Sequence, residues 1–137
     1  RRTLDSSAQP FTGWGLTLMR DDIAKLGQYL VAREHAPLVS AAMLDAGLQR
    51  DPSDVGLQAG GPALRYNHGF WAYNAQAPLN CADPVWVPFL SGFGGIIVAL
   101  MPNGVVYYYV SDGGDYAWAR AVRAADTIAP MCARRPS

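Results

Sequence analysis

The sequence predicts an α+β fold: an antiparallel sheet of three or more strands flanked by helices. Three observations lead there. Apolar side chains recur at helical spacing in two stretches, near residues 18–33 and 115–129. The runs "IIVALM" and "VVYYYV" have strand length, and they are joined across Pro102-Asn103-Gly104, a turn signal.

In chain order, Ile23, Leu26, Leu30 and Val31 share one helical face, and Asp21 and Asp22 sit in the first turn, near the positive end of the helix dipole. They predict a helix over 18–33. Pro37 suits the first turn of a second helix, 37–47, which Gly47 weakens or ends. Residues 51–64 are rich in Gly, Pro, Asp and Ser and read as a loop. The aromatic and β-favouring stretch "LRYNHGFWAYN" predicts one strand over 65–74, ending before the polar "AQAPLNCADP".

A strand over 85–90 follows from "VWVPFL", with Pro88 arguing against a central ladder position. The run "IIVALM" is apolar at every position, so a strand over 94–101 is expected to be covered on both faces. Its partner spans 105–111, where the tyrosines 107–109 alternate between faces. Asn103-Gly104 predicts a tight hairpin with positive φ at both turn residues. The final helix, 115–129, is expected to lay Trp118, Val122, Ala125 and Ile128 on the sheet.

The chain of 137 residues fits one domain of ordinary size or a large piece of a bigger one. Half of its residues are hydrophobic and 16% are charged, enough apolar material for a sizeable core. Eleven basic residues balance eleven acidic ones with no cationic run that could track phosphates, so a nucleic-acid partner is not expected. The longest nearly continuous apolar run, Ile96 to Met101, is too short for a bilayer span of about 20 residues, so no membrane anchor is expected. The N-terminal "RRTLDSSAQPFTGWG" lacks an apolar signal core, which suits a mature, cytosolic or excised chain.

Cys81 and Cys132 are the two cysteines. Neither lies on an obviously apolar helix face or in a metal-ligand spacing, so one disulfide is expected over two free thiols. That pairing would point to an oxidising compartment, periplasmic or secreted.

The inventory for self-contained hydrolysis is short. Lys25 is the sole lysine and Asp22 stands three residues before it, so no S-x-x-K pair exists. Ser91 lies between Phe89 and Phe93, not in G-x-S-x-G. A triad of Ser91, His68 and Asp112 is conceivable only if the fold assembles it. His35 and His68 are isolated, and no metal or cofactor is implied.

Three segments in order, "GWGLTLMRDDIAKLGQYL", "YNHGFWAYN" and "LSGFGGIIVALMPNGVVYYYVSD", resemble the C-terminal part of the serine β-lactamase and penicillin-binding-protein-like hydrolases, including their esterases and the 6-aminohexanoate-dimer hydrolase type. The resemblance implies the C-terminal portion of a β-lactamase/transpeptidase-like fold. It also implies an acyl-serine mechanism on a small ester or amide. The nucleophilic Ser, its Lys and an assisting Tyr would stand upstream of Arg1, on an N-terminal segment or companion chain carrying S-x-x-K. The family's third motif, usually Lys-Thr-Gly or His-x-Gly, falls on Leu90-Ser91-Gly92, with Leu90 in place of the cation. Loss of that charge disfavours a substrate carboxylate and favours an ester or uncharged amide. By the resemblance, the Phe93 backbone N–H is the oxyanion donor, with Gly92, Gly94 and Gly95 allowing close approach. The alternatives are a catalytically inactive, family-like binding or structural module, an independent small α+β domain, and, for the glycines, a simple bulge.

Overall fold

A computed structural model describes residues 18–32, 39–92, 95–111, 113 and 116–135. Within them a six-stranded antiparallel sheet runs in sequence order, β1 (Leu57–Gln58), β2 (Leu64–Asn67), β3 (Phe70–Asn74), β4 (Trp86–Gly92), β5 (Ile96–Leu100) and β6 (Val106–Val110). Four helices accompany it: α1 (Arg20–Val31), α2 (Ala41–Gly47), the single turn α3 (Gln76–Leu79) and α4 (Trp118–Ile128). The fold is mixed α+β.

At the start of α1, the Asp22 carboxylate accepts a 3.0 Å bond from the Met19 N–H, satisfying a donor that the helix leaves without a partner. The second helix begins at Ala41, where Ser40 Oγ accepts from the Met43 N–H. Pro37 lies outside the described residues.

The single strand expected over 65–74 is instead the hairpin β2–β3. Asn67 pairs with Phe70 across His68 (φ 46°) and Gly69 (φ 87°), the two consecutive positive-φ residues of a type I′ turn. The turn at 101–105 departs from expectation in the opposite sense. Gly104 alone takes positive φ (84°), and its N–H bonds the Met101 carbonyl at 2.9 Å. Pro102 therefore occupies the second position of a type I turn closed by a glycine bulge, because its fixed φ suits that position. Asn103 Nδ2 instead donates to the carbonyls of Ala125 and Ala129 at 2.9 and 2.8 Å, tying the hairpin to the end of α4.

Pro88 also corrects an expectation, since β4 is a central strand. The Ala75 N–H to Val85 carbonyl bond places the hydrogen-bonded pairs of β3 and β4 at odd residues of β4. The Pro88 nitrogen therefore turns away from β3, toward β5. There the ladder begins one residue later, at Phe89↔Ala99, so the proline ends a ladder without interrupting one.

The pleat divides the core into two layers. On one face Val87, Phe89, Ile97, Ala99 and Met101 pack with α3 and with Ala121, Val122 and Ala125 of α4. On the other, Val98 and Leu100 pack with Leu30, Leu44 and Leu48 of the α1–α2 region. Helix α1 crosses the sheet closely at Gly27, where a Cβ would overlap the Val106 methyls. Ile128 was expected in the core but is 71% exposed. At 100° per residue it lies about 80° around the helix from Trp118, whereas Val122 and Ala125 stay within about 40°.

The residues after α4 are clasped to the domain. Cys132 is disulfide-bonded to Cys81, and Cys81 and Arg134 form an antiparallel bridge. Buried Asp126 accepts from the Met131 N–H and pairs with Arg134, which also donates to the Leu79 carbonyl. No helix of the described residues is long and apolar enough to cross a membrane.

Two stability predictions follow from these contacts. Reducing the disulfide, whose cysteines are 51 residues apart, should cost about 4 kcal/mol by loop-closure entropy, read as a lower urea midpoint with reductant than without. Gly27→Ala should destabilise by about 1–3 kcal/mol despite alanine's better helix propensity, because α1 must rise off Val106. A stabilised Gly27→Ala protein would show that α1 does not pack closely on β6.

Candidate functional site

Only Phe89 of β4 is registered against both neighbours, Trp71 of β3 and Ala99 of β5. Beyond it, Leu90, Ser91 and Gly92 pair with β5 alone, because β3 has already turned back at His68-Gly69. Alternation along β4 points the backbone groups of odd residues away from β5, so the Ser91 N–H and C=O face the side where no β3 residue is registered. Among the described residues the strand thus presents a short open edge past the hairpin tip. Ser91 and Gly92 are exposed there.

Leu90, expected from the resemblance at the third-motif position, is half-buried and packs with the α1–α2 layer beside Val98. Phe93 and Gly94 lie outside the described residues. Gly95 is buried with φ 83°, and its carbonyl accepts from the Ser111 N–H at 3.2 Å, anchoring the start of β5 against the end of β6. A Cβ at Gly92 would stand 3.2 Å from the Ile96 Cβ. The glycine therefore keeps this edge low.

On the α1–α2 face, the open end of the sheet carries exposed apolar side chains. Ile96 is 41% exposed, Tyr108 37% and Val110 65%, whereas Leu100 at the covered end is 1% exposed. Ile96 is registered against both Gly92 and Val110, so this apolar surface begins beside Gly92 on the β5 side of β4, across the strand from the open edge.

His68, a member of the conceivable triad, has a different carboxylate partner. Its Nε2 lies 2.9 Å from Asp54 Oδ2 at the hairpin turn, and Asn67 Nδ2 bonds the Asp54 carbonyl and carboxylate at 2.8 and 3.1 Å. Asp112 lies outside the described residues, as does His35. The Asp54 pairing was not foreseen because residues 51–64 read as a loop without chemistry; the only hint in the chain is the polar string "DPSD". The bond from His68, then that from Asn67, holds the Asp54 carboxyl below the usual carboxylate range. Among the described residues no group of three His, Cys, Asp or Glu side chains could hold a metal.

No protein-family model matches the chain, and no curated protein or solved structure is significantly similar to it. Its function must be argued from this geometry and from the sequence resemblance.

Because the folded-state value of Asp54 is depressed, its stabilising contribution is complete above the unfolded value near 4 and disappears as pH falls through the lower folded value. Asp54→Asn should therefore flatten the loss of stability below about pH 4, measured as the urea midpoint against pH. An acid limb identical to that of the parent protein would mean that the turn's bonds add no pH-dependent stability.

Proposed function

We propose that this chain is the C-terminal part of a β-lactamase-like serine hydrolase that cleaves an ester or uncharged amide through an acyl-serine intermediate. The nucleophilic Ser, the Lys and the assisting Tyr are contributed by an N-terminal segment or a companion chain. The observation that carries this reading is the open edge of β4 at Ser91, with the exposed apolar surface of Ile96, Tyr108 and Val110 across the strand from it. An edge strand with outward backbone groups suits an acyl substrate lying alongside it, since main-chain donors can stabilise charge that develops on a carbonyl oxygen. The apolar surface across the strand suits a covering partner.

In this mechanism Phe93 supplies the oxyanion N–H, and Ser91 lines the cleft without attacking. A Ser91 nucleophile would need an activating base, and among the described residues none is hydrogen-bonded to the Ser91 hydroxyl, while His68 Nε2 is bonded to Asp54. With Leu90 turned into the α1–α2 layer, the third-motif position offers no cation for a substrate carboxylate, which favours a neutral acyl group. The disulfide favours a periplasmic or secreted setting.

A fluorophosphonate probe tests the assignment. The isolated 137-residue chain should not be labelled, whereas the chain assembled with a segment carrying S-x-x-K should be labelled on that segment's serine. In the assembled enzyme, Ser91→Ala should lower esterase kcat/KM by no more than about tenfold, while Gly92→Val, which pushes a side chain against Ile96, should lower it by about a hundredfold or more. Loss of all labelling in a folded Ser91→Ala enzyme would make Ser91 the nucleophile and overturn the reading. An intact, folded assembly that takes no label would instead identify a family-like binding module.

A further inference from the structure

We propose that the cavity between the diverging ends of β4 and β5 binds a small organic carboxylate with a single-ring apolar body. It lies at the opposite end of β4 from Ser91, so the proposal stands apart from the acyl-transfer reading.

The cavity has a definite structural origin. Pro88 ends the β4–β5 ladder, and the two strands then separate, leaving a space of about 230 Å³. That is below the usual range of about 300–1,000 Å³ for drug-sized ligands and above the roughly 150 Å³ of a cavity that takes up benzene. One ring with a short polar arm matches this size. Trp86, Pro88, Leu100 and Leu48 supply apolar wall, and Gln49 and Arg50 supply the polar part.

The polar part is held in place before any ligand arrives. The Arg50 guanidinium donates to the Val31 carbonyl at 2.6 Å and to the Ala32 carbonyl at 3.4 Å, and it lies 3.5 Å from Asp45. Gln49, in a left-handed conformation at φ 59°, is fixed through its side-chain amide, which donates to the Val55 carbonyl and accepts from Arg65. The Arg65 guanidinium in turn lies 3.9 Å over the Trp86 ring, which fixes the indole wall. Among the residues that line the cavity Arg50 alone is charged, and its carboxylate neighbour Asp45 is half exposed. A bound anion is therefore favoured over a cation, and a ring over a flexible chain, because the indole and the proline are rigid.

The test titrates phenylacetate and its neutral analogue phenylacetamide into the full 137-residue chain, by calorimetry and by intrinsic fluorescence. Phenylacetate should bind saturably with a Kd of about 1 mM or tighter, and phenylacetamide about tenfold more weakly or worse. Trp86→Phe should remove the fluorescence change and keep the heat of binding. Arg50→Gln should weaken phenylacetate about tenfold. Because Arg50 also bonds the end of α1, Val31→Phe provides an independent arm: it fills the cavity, leaves the cation in place and should abolish binding. Absence of saturable heat up to about 10 mM phenylacetate, equal binding of the amide, or undiminished binding by a folded Val31→Phe protein would each overturn the proposal.

Discussion

The molecule is organised by the offset of β4 between its neighbours. Trp86–Phe89 are registered against β3 and Phe89–Gly92 against β5, so both ladders meet at one residue. The Phe89 ring stands at that crossing, 4.8 Å from Trp118 of α4 and 6.4 Å from Trp71 of β3. Such an offset gives the central strand two ends, each with one unpaired side. Among the described residues the open side at the C-terminal end belongs to Ser91, and at the N-terminal end the strands part around Pro88. The candidate catalytic edge and the cavity are thus two consequences of one register.

Much of this architecture was legible in the sequence. Helical spacing marked α1 and α4, and the all-apolar run of β5 foretold a strand buried on both faces, which holds from Ile97 to Leu100 but not at Ile96, 41% exposed. What escaped was information carried by partners instead of by local pattern. Pro88 reads as an edge signal because a ladder position normally needs an N–H, yet which neighbour a residue's nitrogen faces is fixed only by register. The β2–β3 turn was missed because His68, a residue with a Cβ, takes a positive φ that Gly69 alone would have signalled. Asn103 looked like a turn residue on the same grounds. Its side chain instead spans to the carbonyls of Ala125 and Ala129, a long-range task that no local rule reports.

For the candidate site the balance is less even. The glycine-rich stretch after β4 drew attention from sequence alone, and the structure gives its first two members an exposed edge. Leu90 is the informative departure. Leu90 is a packing residue of the apolar layer beside Val98. A carboxylate placed against Leu90 would lose water and gain no cation from that residue, so desolvation disfavours charge there.

The apolar surface across the strand from that edge also bears on how the chain exists. Bonds from the Met101 N–H to Val105 and from the Ser111 N–H to Gly95 set the odd residues of the β6 segment toward β5. Val106, Tyr108 and Val110 therefore turn their backbone groups outward, and among the described residues no strand pairs with them. The same three side chains point to the α1–α2 face, where Val106 is covered by α1 while Tyr108 and Val110 are exposed. Unpaired main-chain groups and exposed apolar side chains on one strand make a template for another strand. Proteins ordinarily blunt such an edge with lysine, proline or a bulge, and Val106–Val110 contains none of these residues or interruptions. A covering segment that pairs with β6 and lies over Tyr108 and Val110 would remove that liability.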